Sequence, residues 1–274
     1  MTVLTDVSVE RLGALRLAER EVALWWLGQS TFLLRFGSAT VFVDPYLARH
    51  TERLVPPPFA PEDARGIDVV AITHDHLDHL DAESLPGIGA ASPNATFVAP
   101  RPAIDRVVGL GISPERVVGL RPVESLERAG VRISAVAACH GDDVAHAYGF
   151  FGGAYLGYVF DGGGARIYHA GDTIPYEGLA ERVRALRAHV ALLPVNGRDA
   201  RREAQGIMGN LDEREAAELA AAAGVELLVP MHYDMFAANP GSPAKLVETV
   251  AREHPGVATL VASRLRPFVF RSAG

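Results

Sequence analysis

Residues 73–81 read THDHLDHLD, at the end of the apolar run 68–73. His74, His76, Asp78 and His79 therefore crowd together where a core strand gives way to a loop. Three imidazoles and a carboxylate this close desolvate and repel one another unless a positive charge sits among them. A divalent cation is the simplest such charge, and this mixture of ligands suits zinc, manganese or iron. A solvated polar loop is the plain alternative, and it leaves the HxHxDH spacing without a reason.

Three later segments end an apolar run in the same way. VRISAVAACH closes on His140, RIYHAGDT carries Asp172 after a glycine, and VELLVPMHYD carries His232. Each alone is an ordinary strand-end residue. Together with HxHxDH they make seven side chains that one rim of a sandwich can gather into two adjoining sites. His146, past the turn Gly141-Asp142-Asp143, is the rival to His140 and a candidate on the substrate side. By strand alternation His169 points away from Asp172 and reads as structural, and Cys139 points away from His140 and reads as a small buried apolar residue.

The composition narrows the setting. The chain has 274 residues, 49% apolar and 22% charged, an ordinary globular balance that excludes disorder. Its 26 basic and 33 acidic side chains give a net charge of −7, which argues against nucleic acid as a partner. Lys245 is the only lysine, so nearly all of the positive charge is arginine. One cysteine excludes an intrachain disulfide and a cysteine-rich metal site. No run reaches the ~18 apolar residues of a membrane span, no amphipathic apolar helix suggests an anchor, and the first residues lack a secretory layout. A cytoplasmic protein with no membrane attachment is expected. Its oligomeric state is left open, a homo-oligomer included.

Val7, Leu12, Leu15 and Leu17 give a short amphipathic lead-in. Apolar runs at 22–27, 31–36 and 39–43, separated by Gly28 and by Gly37-Ser38, predict an antiparallel meander. Beyond the proline loop 56–58, strands are predicted at 68–73, 95–99, 117–120, 131–139, 155–160, 166–169, 190–195, 227–230, 257–261 and 267–270. Helices are predicted at 101–110, 176–188, 212–223 and 243–253. Asp212 with Glu215 is a capping box, and Gly224 is the matching stop. The glycine-rich stretch 149–164 reads as a hairpin. With no linker or repeat, 1–274 is read as one domain. Many strands with helices between them predict an α/β (α+β) four-layer αββα sandwich: two stacked sheets, with helices on their outer faces.

These residues resemble the metallo-β-lactamase-fold hydrolases over about 22–261. HDHLDH, His140, GDT with Asp172, and His232 match that superfamily's metal motifs in order. WWLGQSTFLLRF, VDP at 43–45, YHAGDT and PMHYDMF are similar to the branch containing L-ascorbate-6-phosphate lactonase. HDHLDHLD is also similar to the N-acyl-phosphatidylethanolamine phospholipase D branch. The resemblance implies a dinuclear centre: His74, His76 and His140 on one divalent ion, Asp78, His79 and His232 on the other, and Asp172 bridging. Two ions about 3.5–4 Å apart acidify a shared water towards a pKa of ~7, making a bridging hydroxide the nucleophile, while one ion stabilises the developing oxyanion.

Around that centre, Asp44 and Thr73 are candidates for holding the free nitrogen of a ligand histidine. Asn196, with Arg198, Arg201 and Arg202, lies on the expected rim, where paired guanidinium bonds clamp a phosphate or carboxylate; a turn with solvated arginines is the alternative. Tyr233, beside His232, is a candidate for polarising a carbonyl or protonating a leaving group, with Asp78 a catalytic ligand; plain packing is the other reading of Tyr233. The expected activity is hydrolysis of a lactone or ester of a small anionic, sugar-phosphate-like molecule. The alternatives are a phosphodiesterase acting on a small or lipid-derived phosphodiester, a mononuclear iron oxygenase on the same fold, and a non-catalytic binding module.

Overall fold

Strand β1 (Glu21–Gly28) buries nearly every side chain on both faces, so neither face can meet water. Such a strand needs a layer on each side. The computed structural model describes residues 8–142, 144–264 and 266–273; Val7 and Asp143, named above, lie outside them. The further strands are β2 (Thr31–Phe36), β3 (Ala39–Val43), β4 (Val69–Ala71), β5 (Thr96–Pro100), β6 (Val117–Leu120), β7 (Ser125–Arg128), β8 (Val131–Ala137), β9 (Leu156–Gly162), β10 (Ala165–His169), β11 (Val190–Pro194), β12 (Leu227–Met231), β13 (Ala258–Thr259) and β14 (Phe268–Arg271). The helices are α1 (Val9–Gly13), α2 (Ser84–Ala91), α3 (Ile104–Gly109), α4 (Leu179–Ala185), α5 (Ala200–Glu203), α6 (Glu213–Ala223) and α7 (Pro243–Glu253).

The strands form two sheets built to one plan. The first runs β14-β1-β2-β3-β4-β5-β6 and the second β13-β12-β11-β10-β9-β8-β7. In each, a four-strand antiparallel meander continues into three parallel strands. One face of the first sheet, with Val22, Leu24, Phe32, Leu34 and Val41, packs on Ile133, Tyr158, Phe160 and Ile167 of the second. That core continues through the second sheet to Leu179 and Val183 of α4, Ala216 and Ala220 of α6, and Leu246 and Val250 of α7. The other face of the first sheet, with Trp25, Leu33, Phe42, Val70 and Phe97, packs on Leu12 of α1, Leu85 and Ile88 of α2, and Val107 of α3. Helix, sheet, sheet, helix is the predicted four-layer order. Among the described residues no helix is long and apolar enough to cross a membrane.

Several boundaries differ from expectation, for local reasons. Predicted helix 101–110 opens as a 3-10 turn at Arg101–Ala103 before α3. Predicted helix 176–188 shortens to α4, because Gly178 sits at φ +88 and starts the helix late. The stretch 149–164 is not one hairpin: Phe151–Gly153 is a 3-10 turn, and the tight turn comes at Gly163-Gly164 between β9 and β10. α2 is unpredicted because Pro86, Gly87 and Gly89 interrupt it; Asp81 secures its start by accepting from Glu83 N–H and from the Ser84 hydroxyl. β7 is an exposed edge strand whose polar residues carry no alternation. α6 starts on the Asp212–Glu215 box and stops at Gly224, φ +73, as predicted.

Candidate metal centre

β3 and β4 are parallel neighbours, so the residues that follow them emerge side by side. Asp44 follows β3 and is fully buried. Its Oδ1 accepts from Thr73 N–H at 2.8 Å, and its Oδ2 from Thr73 Oγ1–H and His79 Nδ1–H, both at 2.7 Å. A carboxylate only accepts, so His79 carries its proton on Nδ1 and turns Nε2 inward. With its own proton given to Asp44, Thr73 Oγ1 accepts from His74 Nδ1–H at 3.1 Å, which leaves Nε2 of His74 as that ring's lone-pair nitrogen.

The other contributors come from the second sheet. His140 follows β8 and is paired with Gly149, closing the loop between them. Asp172 follows β10 on a turn at Gly171, φ +60, where an added Cβ would lie 2.8 Å from both Leu156 O and Thr73 Cβ. Only glycine fits that turn. His232 follows β12 and holds φ +60, a conformation that bulky residues rarely adopt and that concentrates at functional sites.

Side chains far apart in the chain thus converge. Asp172 Oδ2 lies 3.1 Å from His232 Nε2 and 3.6 Å from His140 Nε2, and its Oδ1 lies 3.4 Å from His79 Nε2. Asp78 Oδ2 lies 3.5 Å from His232 Nε2 and 3.7 Å from His79 Nε2. His74, His76 and His140 bring ligand atoms within 4.8 Å of one another, as do His74, His79 and Asp172, and again Asp78, His79 and His232. Asp172 touches members of all three groups.

The donor set fits a bound cation. Nε2 of His74, Nε2 of His79, Nδ1 of His140 and Oδ1 of Asp172 are buried without a hydrogen-bond partner. Orphaned buried groups cost about 1–3 kcal/mol each, so a cluster of them points to a missing partner. Burial holds His140 down to about 3 and pushes His74 well below its ordinary value, keeping both neutral and able to ligate. Burial also opposes charge on His79, but Asp172, Asp78 and Asp44 outweigh it and raise the ring to about 10. His232 rises for the same reason, against its burial, through Asp172 and Asp78. Burial works against a charged Asp172 too, but His232, His79 and His140 hold its carboxyl well below the usual range. A proton on His79 is the smallest cation these carboxylates can gather, and a divalent ion answers the same field.

Other predicted site residues lie elsewhere. Arg198 does not offer a free guanidinium: both terminal nitrogens donate to Glu215 at 2.6 Å, and one also donates to Asn210 O. Arg202 is engaged by Asp199, Asn196 O and Asn239. Asn196 is buried, its amide paired with Asn239 and Asn210, so it supports the loop from beneath. Arg198 and Arg202 thus sit in a network of internal ion pairs and amide bonds, while Arg201 is exposed and lines a separate cavity with Asp199 and Gln205. Tyr233 packs on Trp26, tilted 32° to it with ring centroids 5.1 Å apart, against the apolar core. Burial raises its phenol, and this contact is the packing that the sequence offered as its other reading. His146 is exposed, with its ring 5.9 Å from Phe151, and it lines a cavity beside Asp142 and Tyr155. His169 is structural, as predicted: Nε2–H donates to Ser30 O and Nδ1 accepts from Gly171 N–H, securing the turn before Asp172. Cys139 is buried.

Two contributions escaped sequence reasoning. Gln29, at φ +50 between β1 and β2, donates Nε2–H to Asp78 Oδ2 at 2.6 Å and faces the His232 ring at 3.1 Å. Its carbonyl accepts from His232 N–H and Trp26 Nε1–H, so both ends of the residue hold the His232 corner. The only signal was a polar residue in a tight strand–strand turn. Tyr155 sets its ring 5.4 Å from both His74 and His140 and 5.9 Å from His76, and its hydroxyl donates to Asp142. Asp142 in turn meets His76 Nε2 at 3.2 Å. An aromatic residue inside a glycine-rich stretch gave no hint of that position.

Comparison with known proteins agrees with this geometry. Residues 39–233 match the family model described as a Beta-lactamase superfamily domain. The chain is 32% identical over 218 residues to a UPF0173 metal-dependent hydrolase of Methanoculleus marisnigri, covering 78% of this chain and 82% of that one. It is 30% identical over 233 residues to another from Korarchaeum cryptofilum, covering 84% and 91%. Among solved structures, Igni18, a metallo hydrolase from the archaeon Ignicoccus hospitalis, shares the fold with a TM-score of 0.71 at 22% identity, covering 92% of this chain and 99% of that one.

Proposed function

Because the chain belongs to the UPF0173 metal-dependent hydrolases of the beta-lactamase superfamily, we propose that it hydrolyses a lactone or other carboxylic ester at a two-ion centre. His74, His76 and His140 would hold one ion, Asp78, His79 and His232 the other, and Asp172 would lie between them. The observation that carries this reading is the set of buried atoms without partners, three imidazole nitrogens and one carboxylate oxygen, on side chains that crowd their ligand atoms together. When bound, the ions supply an acidified water and a Lewis acid for the developing oxyanion.

The protein's own groups do the positioning. Asp44 and Thr73 hold Nδ1–H of His79 and His74 and turn Nε2 of both rings inward; His74 presents its lone pair there directly, and His79 does so once its second proton leaves. Gln29 steadies Asp78 and His232 from the opposite side. Tyr155 and the sheets behind it limit water to the open side, where His76 is 29% exposed. The arginine expected to recognise an anion is bound to Glu215, so the proposal leaves the charge of the substrate to other features of the site.

Elemental analysis of the purified protein, paired with a substrate panel, tests the reading. Two equivalents of zinc, manganese or iron per chain, with turnover of lactones or esters and none of bis-aryl phosphodiesters, is the expected result. One iron per chain with oxygen consumption, or preferential phosphodiester cleavage, overturns it.

A further inference from the structure

A cavity of about 200 Å³ opens beside His76. It shares Tyr155 and Asp142 with the histidine cluster, since Tyr155 lies against three of the imidazoles and Asp142 against His76. Its walls are Pro102, Ala103, Phe151, Ala154 and the Tyr155 ring, with the His146 imidazole beside Phe151. Among the described residues no arginine or lysine lines it. The acidic groups at its mouth are both engaged: Asp75 by Arg106 at 3.1 Å, and Asp142 by the Tyr155 hydroxyl and His76. Phe151, on the cavity wall, is itself 40% exposed.

These features have one common physical reading. A chamber walled mainly by hydrocarbon, with two carboxylates at its mouth and no arginine or lysine in its lining, offers an anion little and gains from burying hydrocarbon. A cavity of about 150 Å³ lined by apolar side chains is already large enough for benzene. Resting on the hydrolytic function proposed above, we propose that this cavity receives an uncharged phenyl ring or short alkyl chain of the substrate. The substrate class is then an apolar ester or lactone rather than a phosphorylated one. Phe151 and Tyr155 set that specificity by edge-to-face contact with the ring.

The test separates the chamber from the chemistry. Binding of phenylacetamide, a neutral ring with no ester to cleave, is measured by ligand-observed NMR on the metal-loaded protein, its Ala154→Trp variant and its Phe151→Ser variant. Thermal melts confirm that each variant is folded; Phe151 is exposed enough for its variant to serve if filling at Ala154 unfolds the chain. The expected result is binding by the wild type and at least tenfold weaker binding by the variants. In parallel, kcat/KM for a phenyl ester should fall at least tenfold in both variants while that for methyl acetate stays within threefold. Equal binding by wild type and variants, or none by the wild type, overturns the proposal. Ring binding that the variants lose, with no ester cleaved by any form, upholds the chamber and overturns the hydrolytic function alone.

Discussion

Replacing Asp44 with asparagine keeps its shape and removes its charge, which makes it the sharpest probe of how the centre is assembled. Asparagine tolerates the left-handed backbone at this position, φ +44, so the variant carries little backbone penalty. The effect is chemical. One oxygen becomes an NH2 group that faces either Thr73 N–H or the pair Thr73 Oγ1–H and His79 Nδ1–H, so one or two buried donors lose their acceptor. At about 1–3 kcal/mol each, the metal-free protein should lose roughly 1–6 kcal/mol of stability in urea unfolding. His79 also loses the carboxylate that fixes its ring, and removing such outer support costs about 10–100-fold in metal affinity. Competition with a chelator at fixed pH measures that loss. If Asp44→Asn stays folded and binds metal within twofold of wild type, His79 is either not a ligand or not oriented by Asp44, and the reasoning fails.

Three further outcomes follow from the same geometry. Asp172→Ala should abolish both metals and nearly all activity, since Asp172 touches all three ligand groups; two equivalents of metal per chain in that variant would exclude a bridging role. Arg198→Ala should cost stability, about 1–2 kcal/mol through its part-buried partner Glu215, and leave KM unchanged; a KM rise confined to anionic esters would restore the clamp. His79, raised to about 10, is protonated in the metal-free protein at pH 7.5 and must shed that proton to ligate. Metal affinity should therefore rise up to tenfold per pH unit towards pH 10, with at least one proton released per chain in calorimetry across buffers; a flat pH profile counts against His79 as a ligand.

The parts of the fold that the chain announces are those where one physical demand dominates. The meander of β1 to β3 is legible because apolar runs are cut by glycine, and α6 because its capping box and terminal glycine are local signals. His74, His76, Asp78 and His79 are legible because their crowding has few explanations, and the structure brings His140, Asp172 and His232 to them. Gln29 and Tyr155 were hidden because their roles depend on partners 49 residues away for Gln29 and Asp78, and on a loop folding back for Tyr155 and Asp142. The partner of Arg198 was hidden for a related reason: a guanidinium on that rim looks free until Glu215, in the first turn of α6, is seen to hold it. α2 was missed because tertiary packing of Leu85 and Ile88 overrides a composition hostile to helices.

The repeated plan of the two sheets has a mechanical consequence. His74, His76, Asp78 and His79 follow a strand of the first sheet, and His140, Asp172 and His232 follow strands of the second. An ion seated among them is a rivet through two plates. Its loss would loosen the seam along which the plates meet before it softened either one. Protease access and amide exchange should then open first along that seam, while each plate keeps its strands.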